Sequence, residues 1–258
     1  MFGSMSQLQS GLLFSLVTLG LACCYGDLIN TSKHPVQSPQ ESKRTRTQVG
    51  EKRVDTNVVR FVGEVLSGTE YGKDRIAVRW TKGPRLSTFG PSDQHPNAII
   101  KVVRNLNLAL PDGYKIELLE PNDESATLQV WFMPYEDLPE FSEERKLHYR
   151  EPNLGYFYIN WNARFEIINA TVLIAEDKMK GDLLRHYLLE EITQSLGLGG
   201  DSDRFPESVF YEDPSKGEYG TAVRLSKLDR KLIDFHYTHV APGSHPIELG
   251  ILMTRHWE

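Results

Sequence analysis

Cysteine is nearly missing from this chain: of 258 residues only Cys23 and Cys24 carry a thiol, and both stand beside an N-terminal apolar run. The rest of the sequence is therefore without a disulfide framework, a cysteine nucleophile or a thiolate metal site, and must rely on its hydrophobic core. An excess of basic charge is missing as well. The net charge of −6 gives no reason to expect a nucleic-acid partner. There is no G-x-S-x-G nucleophile turn, no glycine-rich phosphate loop and no repeat of fixed period, so serine-hydrolase, phosphate-loop and solenoid readings lose their sequence basis. What remains, 40% hydrophobic and 25% charged, is the ordinary composition of a globular protein.

One apolar run, residues 11–21, has the length of a secretory signal core and is too short to cross a bilayer comfortably. The leader before it has no Lys or Arg. We expect residues 1–26 to be an export signal cleaved after Gly26. The alternative is a lipoprotein signal with a lipid on Cys23 or Cys24, since Leu21-Ala22-Cys23 resembles part of a bacterial lipoprotein box. The expected location is secreted, periplasmic or at the cell envelope, with a lipid anchor as the membrane contact. Residues 27–57, rich in Ser, Thr, Pro, Gln, Lys and Arg, read as a solvated linker. Its run Lys43-Arg44-Thr45-Arg46 reads as part of a tether or as a contact for an anionic surface. Asn30 and Asn169 open glycosylation sequons that matter only in a eukaryotic secretory route.

Residues 58–258 read as a single domain. Alternation of polar and apolar residues predicts a strand at 75–80, and Ile100, Val103, Leu106 and Leu110 predict a helix over 97–110 that Pro111-Asp112-Gly113 ends. Strands follow at 114–119, 126–133, 155–161 and 170–175, with a charged surface helix or loop at 140–149. The order predicts an α/β (α+β) fold: a mixed twisted sheet with an N-terminal helix, a central helix at 183–196 and a small helical C-terminal part.

The central helix carries the chemistry. Asp182 is placed to cap it, and Gly197-Leu198-Gly199-Gly200 ends it. Leu184, Leu188, Ile192 and Leu196 form one apolar stripe. His186, Glu190 and Gln194 stack at i, i+4 and i+8 on the other side, with Glu191 between the stripes near Tyr187 and Ser195. Glycosidase chemistry would need a distant partner such as Asp201, because the adjacent Glu190 and Glu191 diverge by about 100°. The histidines at 34, 95, 148, 236, 239, 245 and 256 are scattered singly and read as polar surface residues. His236 and His239 read as a solvated helix end or a metal pair.

Glu190-Glu191-Ile192-Thr193-Gln194-Ser195-Leu196-Gly197-Leu198 resembles the active-site helix of zinc metallopeptidases, whose long form is H-E-x-x-H-x-x-G-x-x-H. Glu191 fills the acid slot and Gly197 the glycine slot. Glu190 and Gln194 stand in the first two histidine slots, and the third falls on Gly200 beside Asp201. The segment 206–211 stands where metzincins place their Met-turn, with Phe210 in the methionine slot. Residues 225–237 look like the C-terminal helix of matrixin-type peptidases. The whole unit is similar to a family of exported bacterial proteins of unknown function related to the zincins, over about residues 76–237.

That resemblance implies a zincin-like, metzincin-related scaffold with Glu191 as general base and a metal set drawn from Glu190, Gln194, Asp201 and His186. Zinc favours imidazole and thiolate, so an oxygen-rich set of Glu190, Gln194 and Asp201 or Asp203 suits Ca²⁺, Mg²⁺ or Mn²⁺ better. His186 and Glu190 with a loop aspartate form a second conceivable set. Equally open is a structural role for Glu191, as a buried acid bonded to loop amides of residues 199–203. We expect a pseudopeptidase or nonstandard-metal site that binds a protein or peptide in a cleft along helix 183–196 at the cell envelope. The alternative is a divergent metallopeptidase with Glu191 as base.

Overall fold

A computed structural model describes residues 54–67, 76–91 and 96–257. The expected signal, the linker up to residue 53, Cys23, Cys24, the sequon at Asn30, His34 and His95 lie outside the described residues.

Helix α1 (Thr56–Ser67) buries Phe61, Val62, Val65 and Leu66. Then come β1 (Arg85–Phe89), α2 (Pro96–Asn107), the two-residue β2 (Glu117–Leu118), β3 (Leu128–Met133), α3 (Leu138–Arg145), β4 (Gly155–Trp161) and β5 (Ile167–Ala175). Helix α4 (Gly181–Gln194) follows. The small pair β6 (Glu212–Asp213) and β7 (Glu218–Tyr219), then α5 (Lys227–His239) and α6 (Pro246–His256), complete the order. The main sheet runs β2-β1-β3-β5-β4. All its pairings are parallel except β4 with β5, so β4 is an antiparallel edge. The fold is mixed α/β with a mostly parallel sheet, as the element order predicts.

Strand β5 explains the centre of the sheet. Val172, Leu173, Ile174 and Ala175 are all fully buried, so consecutive side chains on both faces leave water, and the segment reads as one apolar run. Helix α4 packs on β4, on β5 and against α2.

Two expectations need correction, and one strand was missed. Residues 76–80 are not a sheet strand: Arg79 makes one bridge to Glu166, and Ala77 N–H donates to Ser244 O at 3.0 Å. Here alternation arises because Ala77 and Trp80 reach the core from an extended link. The sheet strand is instead β1, where buried Ser87 hides the apolar pattern. Its Oγ donates to Glu120 O at 2.7 Å and accepts Asp123 N–H at 3.1 Å, which removes the penalty of burying a hydroxyl. Asp182 does not cap α4 either. The N-cap is Lys180, without a side-chain bond, and Asp182 pairs with Arg185 at 2.7 Å.

Candidate functional site

The end of α4 decides where its polar residues meet the rest of the chain. Gly197 adopts φ +94°, and its N–H and that of Leu198 both reach Gln194 O, at 2.9 and 3.2 Å. A Cβ at Gly197 would stand 2.1 Å from Val78 O, so only glycine fits this left-handed turn against the extended link. The turn brings the chain back beside the helix, and Gln194 Nε2 donates to Asp201 Oδ1 at 2.8 Å.

A cleft of about 250 Å³ opens along this side of α4. All five expected site residues, His186, Glu190, Glu191, Gln194 and Asp201, line it, together with Tyr187, Tyr211, Glu212, Tyr219, Gly220 and residues 152–155. Asp203 is exposed and not part of the lining. The helix is buried far beyond its apolar stripe, because His186, Glu191 and Gln194 are buried like Leu184, Leu188 and Leu189.

His186 is held at both nitrogens. Nδ1 lies 2.9 Å from Ala222 O, which fixes the proton on that nitrogen, and Nε2 lies 3.3 Å from Glu190 Oε2. Burial pulls its pKa down, but the hydrogen bond and charge of Glu190, with the Ala222 carbonyl, outweigh burial and the net shift is upward. A Cβ at Gly220 would stand 2.7 Å from the ring's Cε1, so glycine is required for the imidazole to sit there.

Glu191, 5% exposed, lies against the start of β4. A Cβ at Gly155 would come within 2.5 Å of its Oε1 and 2.7 Å of Tyr187 Cδ1. Burial first, then the carboxylates of Glu190 and Glu191, push the Tyr187 phenol up to about 12, so it stays a hydroxyl at neutral pH.

Sequence reasoning missed Glu212. Burial raises its pKa, the charge of Glu190 adds to the rise, and a hydrogen bond with Asp201 works the other way, leaving it raised. Two carboxyl groups bond to each other only when one keeps a proton. No local sequence signal marks it: it stands two residues past the buried Ser208-Val209-Phe210 turn, and the path of the chain after that turn brings it to the cleft.

That turn is held from α5. Asp229 Oδ1 accepts from Ser208 Oγ at 2.6 Å, and Oδ2 accepts from Val209 N–H at 3.2 Å and Ser226 N–H at 2.8 Å. Burial raises the Asp229 pKa although these donors pull it down. Phe210 is a core residue packed near Phe61, with ring centroids 6.2 Å apart. His236 is not a surface residue: it is fully buried, and burial followed by the Arg79 charge depresses its pKa to about 3. His239 is half-buried and stacks on His256 with centroids 4.2 Å apart.

The donor set does not fit a zinc centre. The cleft holds a single imidazole, engaged at both nitrogens, and Gln194 turns its amide nitrogen to Asp201. Among the described residues no group of three or more His, Cys, Asp or Glu is arranged to hold a metal ion. His186 pairs with Glu190, and Gln194 with Asp201.

No curated protein matches the chain. Two solved structures of myroilysin are similar to it. One has 12% identity, a TM-score of 0.37, and a match covering 63% of this chain and 96% of that one. The other has 11% identity, a TM-score of 0.39, and coverage of 72% and 98%. The family model described as "Protein of unknown function (DUF2927)" matches residues 57–246, from α1 to the start of α6, and so includes every residue of the cleft. The chain belongs to the DUF2927 family.

Proposed function

We propose that this chain is a zincin-like scaffold at the cell envelope whose α4 cleft binds a peptide segment without hydrolysing it. One observation carries the reading: the side chains in the ligand slots satisfy one another, His186 with Glu190 and Gln194 with Asp201. Buried polar groups already paired have no reason to reorganise around an ion, because that would break charge-assisted bonds in a low-dielectric site. Glu191 without a metal-polarised water is a weak base. The lining does suit a ligand. Four carboxyl groups and three tyrosines face the cleft, a setting for a lysine or arginine side chain held by charge and by aromatic faces. One wall is the approach to the edge strand β4, where an extended segment has backbone to follow.

The test is elemental analysis and a peptide assay on the purified full chain. The expected result is substoichiometric metal, a melting curve indifferent to chelator, and no cleavage of an arginine-containing peptide library. A bound arginine peptide should lose about tenfold in affinity on Glu212→Gln. Stoichiometric metal lost on Glu190→Ala, with turnover abolished by Glu191→Gln, would replace this reading with the divergent metallopeptidase.

A further inference from the structure

On the other side of α4, at its seam with α2 and the segment leading into α5, lies a groove of about 570 Å³. Lys101, Arg104, Arg185, Arg224 and Arg230 line it with one acid, Asp182. Asp182 is already paired with Arg185. Among the described residues, Lys101, Arg104, Arg224 and Arg230 have no ion pair and no side-chain hydrogen bond. All four are exposed. In a chain of net charge −6, that many unpaired cations around one concavity repel one another and raise the local concentration of anions. The first turn of α4 adds to this field, since no N-cap side chain accepts from its free N–H groups.

We infer that this groove binds an acidic segment of a protein partner, a run of carboxylates around an apolar side chain. The apolar part of the lining decides the class of ligand. Leu108 stands 74% exposed, and Ala98 and Val223 are half-buried beside the cations, so the groove offers apolar contact that an inorganic anion cannot use. A segment of chain can follow this concavity, whereas a lipid surface meets only its rim, and its volume is in the range of roughly 300–1,000 Å³ typical of ligand sites. Arginine forks hold paired carboxylate oxygens, and four of the five cations are arginines, of which Arg104, Arg224 and Arg230 are unpaired. The inference does not rest on the reading of the cleft, because the two concavities share a helix but no lining residue.

The experiment is fluorescence anisotropy of the full chain with a fluorescein-labelled peptide of alternating Glu and Asp around a central Leu, at low ionic strength. Micromolar binding is expected. The double variant Arg224→Glu/Arg230→Glu should weaken it at least about tenfold, and exchanging the central Leu for Ser several-fold. Lys82→Glu, an exposed cation outside the groove, should change it less than about twofold. A matching thermal melt ties the loss to the groove, and Arg224→Gln/Arg230→Gln serves if charge reversal disturbs folding. Equal weakening by Lys82→Glu would overturn the site, as would unchanged binding in the double variant. Capture by phosphatidylglycerol vesicles without capture of the peptide would overturn the choice of ligand. Full displacement of the peptide by inorganic phosphate at matched ionic strength would overturn it too.

Discussion

Helix α4 has an acidic cleft on one side and a basic groove on the other, and the two treat charge in opposite ways. Asp182, Arg185 and Leu189 lie on an arc centred about 110° from that of His186, Glu190 and Gln194. In the cleft, charged groups are half-buried or buried and each is matched: His186 to Glu190, Asp201 to Gln194 and Glu212. In the groove they are exposed and mostly unmatched. Burial forces a partner, because an unpaired charge in a low-dielectric site is expensive, whereas water tolerates the groove's cations as they stand. The cleft's polar groups therefore meet a ligand already paired by the fold, whereas the groove's cations meet one unpaired.

The comparison breaks most sharply at Gly155. Alanine there would drive Glu191 and Tyr187 into the cleft, lowering stability by about 2 kcal/mol in a denaturant titration and abolishing basic-peptide binding. Acidic-peptide binding in the groove should stay within about twofold, and a parallel loss would mean the two sides are not independent.

A pH titration gives the next largest separation. His186 and Glu212 both have folded-state pKa values above the ordinary 6.5 and 4.5. The native state then binds more protons than the unfolded chain, so stability falls as pH rises, from above 4.5 for Glu212 and from above 6.5 for His186. His236 opposes this on the acid side. With its pKa near 3, the native state binds fewer protons below 6.5, and stability drops by about 1.4 kcal/mol per unit as pH falls. His186→Gln/Glu212→Gln should flatten the alkaline limb of the stability curve and leave the acid limb. The groove has no histidine, so acidic-peptide affinity should be level across neutral pH.

The smallest effect belongs to Asp182→Asn. Its ion pair with Arg185 is exposed, so stability should move by less than about 0.5 kcal/mol. Acidic-peptide affinity should rise slightly, since the groove loses its one carboxylate; a decrease would argue that Asp182 orients Arg185 for the ligand.

Much of the cleft was legible in the sequence because it lies on one helix. The 3.6-residue period alone places His186, Glu190 and Gln194 on one side, and Gly197 signals the turn that returns Asp201 to them. Glu212, Gly155 and Gly220 were not legible, since their approach depends on the pairing of β4 and on the path of the chain after the 208–210 turn. Strand β1 was hidden for a different reason: its buried Ser87 is satisfied by the loop at residues 120–123, a long-range arrangement that no local period encodes. His236 looked like a helix-end surface residue because the element that covers it, the link around Val78, comes from the opposite end of the domain.

The bonds of Asp229 have a consequence for how the molecule can be cut. One carboxylate ties the Ser208-Val209 turn to the first turn of α5, and the next residues along, Tyr211 and Glu212, are cleft wall. Trimming the chain from its C-terminus back through α5 would leave every lining residue in place and still undo the cleft, since the turn would lose its anchor. The shortest fragment that keeps the site must therefore extend past Asp229, although the last lining residue is Gly220.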